Sequence, residues 1–413
     1  MRKHGEGSVY RRADGRYVAS VRYTDDKGAK RRATVYGKTE REARQRLREM
    51  LRRVEDGGAV VDSGITLAEW CERWLTVTLP ASNRRRTTQQ TYSALVRTHV
   101  IPNLGRHRLR DLTPAHVEGW VVELGAKRSP STVRQAHGLL VVILDAAVRH
   151  ELIRRNVAKA VDRPAKPRTE ATHYTSDEVA LLRRMSAGDR LEPFLTLTAF
   201  TGLRKGEVLA LRWSDVDVEG KRPSLRVTGT LSRIGGSLVR TEPKTAAGRR
   251  SVPLVPVAVE ALKDARRAQT RERLAAGPAW SDSDYVFTTE VGTPVDPRNA
   301  LRWFYGVRER ARRELMAADD RCSHDPELVK GGKACPRCGR QPSDYLGGAL
   351  HTFRHSAATV LLSSGVPMPM VKDVLGHSSI SVTVDMYGHL APSVIADAMS
   401  ASLSGYGQAR GSG

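Results

Sequence analysis

The chain has 413 residues and a formal net charge of +23, a length that suits roughly two to four domains. Hydrophobic residues make up 40%, which excludes a disordered basic tail and leaves a folded protein with a polyanionic partner, DNA or RNA first. Aromatics at 5% are too few for base stacking along single strands, so Lys and Arg contacts to a duplex backbone are the expectation.

No stretch approaches the roughly 18 apolar residues of a membrane-crossing helix. The opening MRKHGEGSVYRR lacks the apolar region of a signal peptide, and four cysteines do not make a disulfide scaffold. No membrane partner is expected, and a reducing cytoplasm fits.

Residues 8 to 36 read as three short strands. SVYRR leads to Asp14-Gly15, a hairpin signal; RYVASVRYT follows, then a DDKG turn, then KRRATVY. Thr39 with Glu42 forms a capping box that opens a helix to about Glu55. Arg11, Arg12, Arg16, Arg22, Lys30, Arg31 and Arg32 stud the strands. Their excess on successive strands favours a strand face laid into a DNA groove over plain solvated faces.

Gly57, Gly58 and Gly64 mark a linker. Thr66 and Glu69 form a second capping box, and helical patterns run on to about Val161, with Thr113-Pro114 as a further helix start. Basic loops at Asn83–Arg86 and Gly105–Arg108 lie between, so a helical domain of four or five helices is expected. RPAKPRTEA, Arg163 to Ala171, is a charged, Pro-interrupted linker. A third box, Thr175 with Glu178, opens the last region. There the helix around FLTLTAF breaks at TGLR and restarts as KGEVLAL. SLRVTGT, LVRTEPKT and RSVPLV read as strands, helices follow, and SGYGQARGSG reads as a flexible tail. The expected fold class is multidomain α+β. Residues 1–58 form a three-stranded sheet plus helix, and 64–163 an all-helical domain. Residues 172–400 form a mainly helical domain with a small antiparallel sheet, and 401–413 the tail.

Chemistry concentrates in the last region. Arg204, in TGLRKGE, stands at the helix restart, where a guanidinium beside unsatisfied backbone N–H groups can hold a phosphate. Lys244, in PKT, is expected at a hairpin turn between LVRTEP and TAAGRRSVPLV, from which an ammonium can serve as a general acid. His351 and Arg354, in HTFRH, share one face if helical. His351 and His355 also have the spacing of a zinc helix, but Thr352 stands where a zinc hydrolase has Glu. His377 follows in LGHSS, and Tyr387 comes ten residues later. A free phenol, with a pKa of about 10, is a poor nucleophile at neutral pH. Two arginines and a protonated acid around one phosphate would favour the phenolate and stabilise charge on the non-bridging oxygens. Singly, each of these residues reads as an ordinary surface or core residue. Together they suit attack on a phosphodiester without a metal.

In this order the motifs resemble the tyrosine recombinase, or phage integrase, family over roughly Thr175 to Leu390. Residues 1 to 56 are similar to its arm-site-binding domain, and 66 to 162 to its helical core-binding domain. The resemblance implies a site-specific DNA recombinase that integrates or excises a phage or other mobile element. Tyr387 would attack the scissile phosphate, leaving a 3′-phosphotyrosyl link and a free 5′-hydroxyl. Arg204 and Arg354 would clamp the non-bridging oxygens, and Lys244 would protonate the leaving 5′-oxygen. His351 would assist proton transfer, and His377 would hydrogen-bond the phosphate. Glu207 is expected to support the fold or orient Arg204. No cofactor is implied for catalysis, because the adduct keeps the phosphoester energy. The implied partners are double-stranded DNA attachment sites, three further copies in a tetramer acting through a Holliday junction, a host DNA-bending protein and an excision factor. The implied location is the bacterial nucleoid.

One segment departs from the family pattern. Cys322, His324, Cys335 and Cys338 supply a C-x-H and a C-x-x-C within 318–348, a candidate insertion holding a structural zinc. Two other functions compete: a type IB topoisomerase that only relaxes DNA, and a catalytically silent DNA-binding regulator. The separate N-terminal sheet weighs against the first, and the filling of all six candidate positions against the second.

Overall fold

The computed structural model describes residues 7–24, 30–55, 65–165, 172–243, 246–319, 334–335, 338–377, 379–381 and 384. They are divided between two compact units, Met1–Arg168 and Thr169–Gly413.

In the first unit, β1 (Ser8–Arg11), β2 (Tyr17–Thr24) and β3 (Lys30–Gly37) form an antiparallel sheet in that order. Strand alternation puts Val9, Tyr17, Ala19, Val21, Ala33 and Val35 on one face. There they pack with Ala43, Leu47 and Met50 of α1 (Glu40–Glu55). On the other face the register sets Tyr10, Val18 and Tyr36 side by side and Arg22 opposite Arg32. Both tyrosines and both arginines are exposed. The first capping box departs from expectation. Thr39 Oγ1 accepts from the Glu42 N–H at 3.2 Å, but the Glu42 carboxylate accepts from the Lys38 N–H at 2.8 Å, one residue earlier than a closed box requires.

The helical part of this unit has its own core. α2 (Leu67–Arg73) starts at a complete Thr66–Glu69 box and runs on through a π-helical stretch, Trp74–Thr78. α3 (Arg86–Leu95) likewise continues through Val96–Val100. α4 (Pro114–Lys127) and α5 (Pro130–Arg149) are capped by Thr113 and Ser129. Trp70, Trp74, Trp120, Leu140, Ile143 and Leu144 fill the centre, and the Trp70 indole N–H donates to the Ile143 carbonyl at 3.0 Å. Cys71 lies in the same core, where burial pushes its thiol up to about 12. Arg84, Arg85, Arg106 and Arg108 are exposed on the loops, and Arg86 is exposed at the start of α3.

In the second unit, α6 (Ser176–Met185), α7 (Glu192–Thr201), α8 (Lys205–Val208), α9 (Pro256–Ala276), α10 (Pro297–Ala317) and α11 (Thr352–Ser363) surround one core. Phe194, Phe287, Phe304 and Phe353 pack at its centre with Tyr174 and Leu182. α12 (Met368–Leu375) packs on α11 through Val371, Leu375, Ala358 and Leu362.

The strands form two small antiparallel sheets rather than one. β4 (Val216–Asp217), β5 (Ser224–Val227) and β8 (Arg250–Pro253) lie in the order β4-β5-β8. β6 (Thr230–Ile234) and β7 (Ser237–Thr241) make a hairpin that turns at Gly235-Gly236. The hairpin expected around Lys244 is therefore corrected. The strand before it pairs backwards with β6, the strand after it pairs with β5, and Ala246–Gly248 is a 3₁₀ turn. The Gly-Gly step makes the tighter turn and captures β7 first. Lys244 itself lies outside the described residues. Among the described residues, no helix is long and apolar enough to cross a membrane.

Candidate active site

The site begins where α7 stops. Gly202 adopts a φ of +63°, the left-handed C-cap that ends many helices. A Cβ here would stand 2.9 Å from Leu375 Cδ2 and 3.1 Å from Ala357 Cβ, so glycine also lets α11 and α12 close over the turn. Two residues on, Arg204 is the N-cap of α8. Glu207, 9% exposed, ties this turn down. Its carboxylate accepts from the Arg204 backbone N–H at 3.0 Å and from Arg204 Nη1 at 2.9 Å. It also accepts from Arg250 Nη2 at 2.9 Å.

Arg354 joins that turn to the next segment. It lies on α11 and is only 2% exposed. Its Nη1 donates to the Gly202 carbonyl at 3.0 Å and its Nη2 to the Leu375 carbonyl at 2.6 Å. The first acceptor lies two residues before Arg204 and the second two residues before His377. His377 follows Gly376, which ends α12 with a φ of +67°, and it is 4% exposed. His351 is the N-cap of α11 and meets His355 edge to face, ring centroids 5.2 Å apart. His351 and Arg204 line one cleft together with Lys205, Arg233, Asp296 and Arg298.

The charges in this cluster set its protonation. Desolvation, then the fields of His355, Arg354 and Arg204, push His351 down to about 4. The residue keeps exposed surface, but the protein packed around its ring disfavours the charged form. His377 is also pushed down to about 4, first by burial and then by Arg354, Arg204 and Arg250. Both rings are therefore neutral at pH 7, each with one N–H to donate. Burial raises the Glu207 carboxyl, but the hydrogen bond and charge of Arg250, and then those of Arg204, outweigh it and hold the group below the usual range. Three guanidiniums against one carboxylate leave two net positive charges. A phosphodiester carries one negative charge, and its pentacoordinate transition state carries two. Such a cluster favours the transition state over the ground state.

Four of the six residues expected to act on phosphate, Arg204, His351, Arg354 and His377, belong to this cluster. Lys244 and Tyr387 lie outside the described residues, as do Cys322 and His324. Cys335 is buried beside Met316 and Tyr345 on a loop in which the Gly339 N–H donates to the Cys335 carbonyl at 2.8 Å, while Cys338 is exposed. Among the described residues, no group of three or more His, Cys, Asp or Glu is arranged to hold a metal.

The sequence reading missed Arg250. Its neighbour Arg249 is exposed and pairs with Glu242, whereas the Arg250 side chain is 6% exposed. The signal was there in the strand alternation, since Arg250 shares its phase with the buried Val252 and Leu254.

Two family models match the chain: the phage integrase family over residues 341–393, and the N-terminal SAM-like domain of phage integrases over residues 66–125. An integrase of Streptomyces ambofaciens is 28% identical over 395 residues, covering 94% of this chain and 92% of that protein. A protein named tyrosine recombinase XerC-like, from Caldanaerobacter subterraneus subsp. tengcongensis, is 27% identical over 388 residues, covering 89% and 90%. Among solved structures, the Tn1549 transposon integrase in complex with a circular intermediate DNA matches with a TM-score of 0.59 at 16% identity, over 78% of this chain and 95% of that one. A lambda integrase tetramer bound to a Holliday junction matches with a TM-score of 0.53 at 15% identity, over 93% and 96%. At these identities the solved structures establish the fold, while the family models and near full-length relatives establish the kinship. The chain is thus similar to phage integrases in the two regions that the family models match, and to proteins named integrase or tyrosine recombinase over nearly its whole length.

Proposed function

We infer that this chain is a site-specific recombinase of a mobile element, which cuts and rejoins duplex DNA through a 3′-phosphotyrosyl link to Tyr387. The observation that carries the reading is the gathering of Arg204, Arg354, His351 and His377 into one cluster of net positive charge. Arg204, with its side chain 42% exposed, is the arginine open to a phosphate oxygen. Arg354 supplies buried positive charge from beneath. A neutral His377 donates one hydrogen bond to a non-bridging oxygen, and a neutral His351 relays a proton. Tyr387 attacks phosphorus and forms the phosphotyrosyl ester, while the bond to the 5′-oxygen breaks and Lys244 gives that oxygen a proton. In the second step a 5′-hydroxyl of the partner duplex attacks the ester and releases the phenol. No cofactor enters either step.

The likeness to an integrase tetramer on a Holliday junction supports four copies acting in pairs on two duplexes. The face of the N-terminal sheet turned away from α1, through its exposed Arg22, Arg32, Tyr10 and Tyr36, is a second DNA-contacting surface in this reading. A host DNA-bending protein and an excision factor complete the proposed assembly. The thiols of Cys322, Cys335 and Cys338 with the imidazole of His324 have the chemistry of a structural zinc set. Elemental analysis of protein purified without chelator is expected to find one zinc per chain, and a metal-free, equally stable protein would end that proposal.

The test uses duplex DNA from the regions flanking the gene. Wild type and Tyr387→Phe are incubated with it without magnesium, ATP or chelator, and run on denaturing gels. A covalent adduct at a 3′ end is expected from wild type alone. Cross-linking by Tyr387→Phe would refute the nucleophile, and specific binding without any adduct would favour a silent regulator.

A further inference from the structure

We propose that Arg250 is a positioning residue for strand cleavage, a buried guanidinium that fixes Arg204 and His377 relative to one another. The proposal rests on Arg204 and His377 acting on the scissile phosphate.

Arg250 opens β8, and its side chain reaches two separate segments besides the turn just before it. Nη2 donates to Glu207 Oε2 at 2.9 Å, and Nη1 lies 3.5 Å from Oε1 of the same carboxylate, whose oxygens also hold the backbone and side chain of Arg204. Nε donates to the carbonyl of Val374 at 2.6 Å, three residues before His377. Nη1 also donates to the Gly248 carbonyl at 3.3 Å, in the 3₁₀ turn that follows PKT. One planar group thus links the turn that carries Arg204 to the end of the helix that precedes His377.

A second observation comes from the backbone. Gly376, directly before His377, closely approaches this guanidinium. A Cβ there would stand 2.7 Å from Arg250 Nη1 and 3.0 Å from its Cζ. The position next to His377 is therefore shaped around Arg250 as well as around its own left-handed turn. Burial of an ion pair between groups 6% and 9% exposed is weak ground for stability, since desolvation offsets much of the attraction. A rigid fork of five donors is instead suited to hold several acceptors in one fixed geometry, which a lysine's single ammonium cannot do. With its side chain 6% exposed, Arg250 is covered by the protein itself. It acts through Glu207 on Arg204, and through the end of α12 on His377.

The experiment measures single-turnover adduct formation at saturating protein, DNA affinity by gel shift, and thermal melting, for wild type, Arg250→Lys, Arg250→Met, Glu207→Gln and the double variant Glu207→Gln/Arg250→Met. Wild type forming no adduct on any flanking duplex would sink the recombinase reading, and this inference with it. With a wild-type adduct in hand, Arg250→Met is expected to cleave about 100-fold more slowly while its affinity stays within about 3-fold, because a misplaced group costs rate far more than binding. Arg250→Lys should recover about 10-fold of that loss by keeping the charge. The double variant should cleave no more than about 3-fold more slowly than the slower single, because both changes break one linkage. Wild-type cleavage rates in both Arg250 variants would overturn the proposal. So would affinity, rate and melting temperature falling together in every variant, which would make Arg250 a folding residue only.

Discussion

Arg354 shows how one side chain can be both fold and site. Two of its donors go to the carbonyls of Gly202 and Leu375, and almost none of it meets water. Replacing it with Met leaves those acceptors to compete for absent partners, so a loss of about 3 kcal/mol in unfolding free energy is expected by denaturant titration. Arg354→Lys should also lose adduct formation, since one ammonium cannot span both carbonyls, and undiminished cleavage by that variant would contradict this dual role. His377 adds a pH dependence. Its folded pKa of about 4 lies below the ordinary 6.5, so the unfolded chain binds the extra proton first. Its contribution is fully present above pH 6.5 and is lost as pH falls through 4, on the order of 3 kcal/mol for a group this buried. His377→Gln should flatten the acid limb of a stability-against-pH curve over that window. An unchanged limb would show that its burial is relieved in solution.

At the scale of elements, much of the fold was legible because caps and alternation are local. The Thr66–Glu69 and Thr175–Glu178 boxes form as their spacing suggests, and the three N-terminal strands pair in the expected order. The hairpin expected at PKT does not form because the strand before it is taken by the local turn at Gly235-Gly236, and the strand after it pairs with β5 across that whole hairpin, a longer-range choice that a window around Lys244 does not contain. The motifs pointed to Arg204, His351, Arg354 and His377, and the fold brings those four together. Arg250 was signalled only by its phase with Val252 and Leu254, the two residues that tell an inward arginine from an outward one on this strand. The break between α7 and α8 is where local and tertiary demands coincide. Gly202→Ala would force a side chain into a left-handed backbone and onto Leu375 and Ala357. A cost of about 2 kcal/mol is expected by thermal denaturation, together with slower cleavage as Arg204 shifts. A variant as stable and as active as wild type would show that α12 moves aside freely.

For the whole molecule, the formal charge of +23 makes DNA affinity steeply dependent on salt. Each phosphate neutralised contributes a slope of about −0.9 in log affinity against log salt. Total charge cannot say which surface makes those contacts, but substitutions can. Arg22 and Arg32 face each other across β2 and β3 on the side of the sheet turned away from α1, so neither supports that small core. Arg32 Nη2 does donate to Ser20 Oγ at 3.0 Å, but that hydroxyl, 5% exposed, also bonds Ser8 Oγ at 3.1 Å, so it keeps a partner when the arginine is removed. The double variant Arg22→Ala/Arg32→Ala should therefore fold normally. If the sheet reads a DNA site of its own, this variant makes the salt slope shallower by about 2 on DNA that carries that site. On a short duplex holding only the cleavage site, slope and adduct yield should both stay at wild-type values. Equal losses on the two DNAs would mean that the sheet merely adds charge to one continuous binding surface. No loss on either would return its arginines to the role of solvated strand residues, and the second site would have to be sought on the loops around Arg84–Arg86 and Arg106.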